Sequence, residues 1–352
     1  MSADALTQAI RRLAAHESLN GASIQSAFDV IMRGEGTPVQ VAALLMALRV
    51  KGETSVELAG VVEALRAAMV VLPVDNPDSL VDTCGTGGGS LTTFNISTAA
   101  ALLAAGLGVR VAKHGNRSFT SRSGSADVLE ALGVAIELSP AGMVRVLEAA
   151  GIVFMFAPLM HPALRHVGPV RRELGVPTVM NIVGPLANPA RAGRQVVGVA
   201  ESSRLILLAE ALAALGSQRA LVVHGAPGLD EVSPLGTTDV VEVHRGELTR
   251  WTIDPAIAEI DGVEPGDLAG GDPATNASLI ETVLAGGGPP GARAAVILNA
   301  AAALYVSGNA PSGSVPDFPS AVGRARDALA SGAGFAALER LRTASAAAVR
   351  TG

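Results

Sequence analysis

The residues best suited to chemistry lie between Asp82 and Asp127. A glycine turn, Gly85-Thr86-Gly87-Gly88-Gly89, is followed by a polar helix start, Asn95-Ile96-Ser97-Thr98. A basic, hydroxyl-rich loop comes next: Lys113-His114-Gly115-Asn116-Arg117-Ser118-Phe119-Thr120-Ser121, with Arg122, Ser123 and Ser125 close behind. Glycines let the backbone approach a ligand, and unpaired N–H groups in a turn or at a helix start attract anions. Ser97 and Thr98 can cap the helix or meet a phosphate or its metal ion. Lys113, Arg117 and Arg122 add positive charge. The chemistry that suits such a set is polyphosphate binding, although the glycine turn taken alone reads equally as a plain turn. No Gly-Lys-Ser/Thr closes a Walker A loop, and the spacing and the missing acidic residue exclude a Rossmann fingerprint.

Asp230-Glu231 follows the apolar run Ala220–His224 and the turn Gly225–Gly228. A carboxylate pair just past the carboxyl end of a strand stands where open α/β sheets place their ligands, and Mg²⁺ takes one or two carboxylates together with substrate phosphates. The same pair also reads as a solvated loop. His161, Arg165, His166, Arg171 and Arg172 share a polar segment, in which an arginine is shaped to receive a substrate carboxylate or simply faces solvent. Asn181–Pro189, low in charge and rich in Gly, Pro and Asn, is a hinge, a wall of a flat aromatic pocket, or a connecting loop. Cys84 beside the glycine turn reads as a small buried residue at a strand end. No Ser-His-Asp or Cys-His constellation offers a protein nucleophile.

The elements that position these residues change character along the chain. Residues 3–70 read as helical. Leu6, Ile10 and Leu13 form one stripe, Thr37-Pro38 is a helix start, and Thr54-Ser55-Val56-Glu57 fits a capping box. From residue 79, short apolar runs alternate with helical stretches, which predicts an α/β sheet with mostly parallel strands. The predicted strands are 79–84, 109–112, 152–156, 196–200, 219–224 and 239–243, with a hairpin turn at His244–Glu247. Helices at about 274–286, 291–307, 317–331 and 334–349 close the chain and carry no chemical motif. The expected fold is therefore a small helical N-terminal domain, 1–72, with about 165–190 packing onto it, and a large α/β domain, 73–352. Such a length, with 49% hydrophobic and 16% charged residues, suits a large globular core, and a net charge of −6 argues against nucleic acid. A single cysteine excludes a disulfide framework and fits a reducing cytoplasm. The alanine-rich runs break before they reach membrane-spanning length, so no membrane partner is expected.

The motifs Asp82…Gly85-Thr86-Gly87-Gly88, Thr93-Phe94-Asn95-Ile96-Ser97-Thr98, Lys113-His114-Gly115-Asn116-Arg117-Ser118 and Ser123-Gly124-Ser125-Ala126-Asp127 occur here in that order. His161-Pro162, Arg171-Arg172-Glu173-Leu174-Gly175, Gly184-Pro185-Leu186-Ala187-Asn188-Pro189 and Asp230-Glu231 follow them. Together they resemble the anthranilate phosphoribosyltransferase family of the tryptophan pathway. That resemblance implies a nucleoside phosphorylase/phosphoribosyltransferase-like fold, and transfer of phosphoribose from 5-phosphoribosyl-1-diphosphate (PRPP) to the amino group of anthranilate, releasing pyrophosphate. It implies a PRPP site of Gly85, Gly88, Gly89, Thr93, Asn95, Ile96, Ser97, Thr98, Lys113–Ser121 and Ser125. It implies anthranilate contacts from Gly85, Asn116 and Arg171, Mg²⁺ held by Ser97, Asp230 and Glu231, and a homodimer formed through the helical domain. Gly89 departs from the pattern, because many members carry Asp there. A pyrimidine nucleoside phosphorylase, a relative acting on another aromatic amine, and a non-catalytic phosphosugar-binding protein remain as alternatives at this level.

Overall fold

The computed structural model describes residues 2–118, 122–308 and 317–351. Four helices open the chain: α1 (Ser2–Ala14), α2 (Gly21–Met32), α3 (Pro38–Lys51) and α4 (Ser55–Ala68). Thr37 with Gln40 and Thr54 with Glu57 close reciprocal capping boxes, so the expected helix starts are present. Helices α2 and α4 pack backbone to backbone at Gly60. A Cβ there would stand 2.5 Å from the Ile24 side chain and 2.7 Å from the Gly21 carbonyl oxygen. Glu57 does more than cap. Its carboxylate is 1% exposed, accepts the Leu19 and Thr54 N–H groups, each at 2.9 Å, and meets the Lys51 ammonium at 2.9 Å.

A seven-stranded sheet follows: β1 (Val81–Gly85), β2 (Val111–Gly115), β3 (Ile152–Phe156), β4 (Arg194–Gly198), β5 (Arg219–Gly225), β6 (Thr238–His244) and β7 (Glu247–Ile253), in the order β3-β2-β1-β4-β5-β6-β7. The first five run parallel and the last two antiparallel. The hairpin turns on Arg245 and Gly246, both at positive φ. Interleaved with the strands are α5 (Ile96–Gly106), α6 (Ser125–Ala131), α7 (Pro140–Ala150), α8 (Ala157–Met160), α9 (Gly168–Leu174) and α10 (Leu205–Ala214). The chain closes with α11 (Pro273–Leu284), α12 (Pro290–Ser307), α13 (Phe318–Ala330) and α14 (Ala333–Thr351).

Strand alternation divides the core in two. Val196, Leu221, Val223 and Val240 face a cluster with α5, α7 and α11–α14. Val197, Ala220, Val222, Val241 and Val243 face α10, the four opening helices and the segment Val167–Ala187. Strand β4 begins two residues earlier than its apolar run predicts. The disguise is polar: Gln195 is buried and donates to the Pro185 carbonyl at 2.7 Å, while Arg194 reaches the Asp78 and Val306 carbonyls. At the far edge of the sheet Trp251, Tyr305 and Phe318 meet edge-on, with ring centroids 5.5–6.0 Å apart.

Burial pushes the Glu57 carboxyl up, but the Leu19 N–H, the Lys51 ammonium and the Thr54 N–H outweigh it and hold it below 4.5. A carboxyl depressed in the folded state stabilises above its unfolded pKa, and that contribution is lost as pH falls through the folded value. Urea titrations should therefore show the wild type losing stability below about pH 4.5, the usual value for this group. Glu57→Ala should cost about 3 kcal/mol at neutral pH by stranding buried Lys51. An unchanged urea midpoint would remove Glu57 from this role.

Candidate functional site

Strand order reverses at β1, since β2 and β3 lie on one side of it and β4 and β5 on the other. The crevice outside the carboxyl ends of such strands is where open α/β sheets bind ligands. A cavity of about 420 Å³ opens there.

One end of the cavity is built from the glycine turn and the acidic pair. Gly87 and Gly88 hold φ of +72° and +83°, the left-handed region that favours glycine. The Gly87 N–H donates to Asp230 Oδ2 at 2.8 Å, the Thr86 N–H to the Gly198 carbonyl at 2.9 Å, and the Ser90 N–H to the Gly228 carbonyl at 3.0 Å. The acidic loop thus lies flat on the strand ends. A Cβ on Gly85 would fall 2.3 Å from Asp230 Oδ2, and one on Gly198 would fall 1.7 Å from the Asp230 carbonyl oxygen. A side chain grown from Gly89 would start 3.3 Å from Asp230 Oδ1, so an aspartate there would set a third carboxylate beside the pair.

Burial raises the Asp230 carboxyl, against the Gly87 N–H. Burial and then the Asp230 charge push Glu231 up to about 8, against Lys113 and the Ser97 N–H, which donates to Glu231 Oε1 at 3.2 Å. Lys113 is 3% exposed and shifted down by burial; its ammonium bonds the Thr83 carbonyl and, at 3.2 Å, Ser97 Oγ. Two desolvated carboxylates and a hydroxyl form a hard-oxygen set short of positive charge, which fits a divalent cation completed by water and phosphate oxygens. Among the described residues no group of three or more His, Cys, Asp or Glu could hold a metal without such help.

Helical periodicity sorts the polar helix start. Asn95 and Ser97 line the cavity, whereas Ile96 belongs to the core and Thr98 is 1% exposed. Thr93 bridges to Ala269 away from the cavity wall, and exposed Gly88 lies outside that wall, as does Gly89. Lys113, His114, Gly115, Asn116, Arg117, Ser118 and Ser125 all line it. This loop is held by α6: the Ser118 and Gly124 N–H groups donate to Asp127 Oδ2, and the Asn116 carbonyl accepts from Ser125 and Ala126. Arg117 is engaged by Asp127 and Glu130 and lies 5.3 Å from the centre of the Phe156 ring. Phe119, Thr120 and Ser121 fall outside the described residues.

The other part of the lining carries fewer charged groups. Arg171, His114 and His161 stand there with Asn181, Val183, Gly184, Pro185 and Ala187. Burial lowers the Arg171 guanidinium, which has no ion-pair partner among the described residues. The two imidazoles lie 4.9 Å apart, and burial brings His114 to about 3 and His161 to about 4, so both are neutral near pH 7. The Gly184 and Ala187 carbonyls oppose that lowering at His114 and His161 respectively, and each Nε2 is buried without a partner among the described residues. Thr86, His161 and Asn181 also line the cavity, although the sequence marks them only as parts of the glycine turn, the polar segment and the Gly/Pro/Asn run. The signal for Asn181 was the uncharged Gly/Pro/Asn run of which it is part, one of whose readings was a pocket wall.

Residues 77–335 match the model of the glycosyl transferase family a/b domain, and residues 7–69 that of the family's helical bundle domain. The chain is 49% identical to the anthranilate phosphoribosyltransferase of Rubrobacter xylanophilus, over 95% of this chain and 96% of that one. The chain belongs to the anthranilate phosphoribosyltransferase family. The enzyme of that name from Thermomicrobium roseum is 48% identical over 96% of both chains. Among solved structures, anthranilate phosphoribosyltransferase from Thermus thermophilus superposes with a TM-score of 0.88 at 42% identity, covering 96% of this chain and 99% of that one. The anthranilate phosphoribosyltransferase from Saccharomyces cerevisiae, in complex with PRPP and Mg, gives 0.86 at 26% identity, covering 97% and 98%.

Gly198→Ala should cost about 2 kcal/mol, because the acidic loop must lift off the strand end to admit the methyl group. A urea midpoint within error of wild type would show that the loop is not seated this way.

Proposed function

We propose that this chain transfers the phosphoribosyl group of PRPP to the amino group of anthranilate, giving N-(5-phosphoribosyl)anthranilate and pyrophosphate in tryptophan biosynthesis. The observation that carries this reading is the polarity of one cavity. It has a cation-seeking carboxylate pair under a glycine turn, and a half-buried arginine with no ion-pair partner among the described residues beside the low-charge segment Asn181–Ala187. Yeast relatives solved in complex with PRPP and Mg, and with 4-fluoroanthranilate, support the reaction.

In the reaction the amine nitrogen bonds to C1 of the ribose as the C1–O bond to the diphosphate breaks. The amine proton leaves after the new bond forms. Negative charge grows on the leaving group, so fixed N–H groups and cations that face it lower the barrier. The Gly85–Gly89 turn, Asn95, Ser97, Lys113 and the Asn116–Ser118 loop bind and orient the donor, and Phe119, Thr120, Ser121 and Ser125 are assigned with them. Gly88, Gly89, Thr93, Ile96 and Thr98 belong to the same assignment through their backbone or as supports of the turn and helix. Asp230, Glu231 and Ser97 would hold Mg²⁺, which when bound supplies charge neutralisation at the diphosphate. Arg171 receives the anthranilate carboxylate by paired N–H contacts, while Asn116 and Gly85 face its ring and amine. Neutral His114 and His161 keep this end free of positive charge that would compete for the carboxylate. No protein nucleophile takes part, and catalysis is positioning plus electrostatics.

The proposal includes a unit of residues 1–72, joined by about 165–190, and a unit of 73–352. It also includes a homodimer through the helical bundle, for which Val39 and Val50 of α3, 79% and 69% exposed, offer apolar surface. Residence in the cytoplasm rests on the single cysteine.

Loss of anthranilate fluorescence, followed with PRPP and Mg²⁺, tests the reaction. Wild type should turn over only with Mg²⁺, and Asp230→Asn/Glu231→Gln should lose at least about a hundredfold in kcat/KM. Turnover that survives in the double variant would remove the pair from the site. Arg171→Gln should raise the anthranilate KM by roughly tenfold or more, as loss of a charge-assisted bidentate contact does. PRPP affinity, measured by calorimetry, should stay within twofold; a matching loss there would place Arg171 at the donor end instead.

A further inference from the structure

The two ends of the cavity come from segments far apart in sequence, yet one buried carboxylate touches both. Asp82, in β1, is 0% exposed. Its Oδ1 accepts the backbone N–H of His114 at 3.1 Å, at the root of the donor loop. Its Oδ2 accepts Nδ2 of Asn188 at 2.7 Å, at the end of the acceptor wall Asn181–Ala187. Asn188 is 2% exposed and uses its whole amide. Nδ2 also donates to the Ala112 carbonyl at 2.9 Å, and Oδ1 accepts the Ala190 and Ala192 N–H groups at 2.9 and 3.5 Å. With both donors and both acceptor lone pairs engaged, the amide has one orientation that satisfies its surroundings. A second strut meets the same wall from the other side, where Arg66 of α4 donates to the Leu186 carbonyl at 2.9 Å.

The wall in turn aims the acceptor end. His114 and His161 face the Gly184 and Ala187 carbonyls of this wall, so a shift of the wall changes the surroundings of both imidazoles. Burial raises the Asp82 carboxyl, against Lys113 and its hydrogen bonds to Asn188 and His114. An ion buried at that cost with no solvent contact is secured by these partners. We propose that Asp82 and Asn188 are a positioning pair for the transfer, setting the separation between the loop that holds the donor and the wall that holds the aromatic acceptor. This rests on the phosphoribosyl-transfer reading above. Neither residue lines the cavity, so their effect runs through the placement of His114 and the wall.

Steady-state kinetics with anthranilate and PRPP, beside PRPP affinity by calorimetry, test this on Asp82→Asn, Asn188→Asp and the exchanged pair Asp82→Asn/Asn188→Asp. Each single change sets two donors, or two carboxylates, face to face. Either should raise the anthranilate KM and lower kcat, together costing roughly tenfold to a hundredfold in kcat/KM, as misplacements of an ångström do. PRPP affinity should stay within twofold. The exchanged pair restores one amide–carboxylate contact and should recover part of the loss, leaving Ala112 without its donor. Two results overturn the proposal: equal losses in PRPP affinity and anthranilate KM, or an exchanged pair no better than the worse single variant. If the single variants do not accumulate folded, Asn188→Ser, which keeps one hydroxyl donor for Asp82, carries the same split between KM and donor affinity. Wild type without turnover on anthranilate would instead overturn the transfer reading, and this proposal with it.

Discussion

The site depends on one close contact: the acidic loop pressed onto the carboxyl ends of β1 and β4. The Asp230 backbone lies so near Gly198, and its carboxylate so near Gly85, that no side chain fits at either position. The same contact desolvates both carboxylates and aligns Asp230 with the Gly87 N–H and Glu231 with the Ser97 N–H. Folding therefore strips both carboxyls of water and raises their pKa values, so that their ionised forms are left in want of a cation.

The opposite end follows a different rule. There the structure withholds charge, since two histidines are neutral and the lone guanidinium has lost much of its water. A carboxylate entering this slot would give the half-buried Arg171 the ion-pair partner that the described residues do not supply. The helical bundle takes part through α4: Leu65 lines the cavity and Arg66 holds the wall.

Much of this was legible beforehand, and for local reasons. The Thr54–Glu57 capping box, the Thr37-Pro38 helix start and the apolar runs of β3 and β5 depend on neighbours in sequence, and the structure places them within a residue or so of expectation. The start of β4 was hidden because Arg194 and Gln195 find buried carbonyl partners, which periodicity does not register. In the site, the glycine turn, the Lys113–Ser118 loop and the acidic pair announced themselves by residue type. Which members face the cavity is a question of helical phase and of contacts between distant segments. For that reason Ile96 and Thr98 point into the core while Asn95 and Ser97 do not, and Arg117 turns to Glu130. His161 reads in sequence as one of several cationic candidates, and it is burial against the wall that makes it neutral.

The aromatic cluster at the sheet's far edge has an optical consequence. Trp251 and Tyr305 are the chain's single tryptophan and single tyrosine, and they sit against each other, with no counterpart in the opening four helices. Ultraviolet emission from this molecule is a gauge of the β7–α12–α13 corner alone. The bundle can fray or detach without altering the signal, so its integrity is visible only to backbone probes such as far-ultraviolet dichroism or amide exchange.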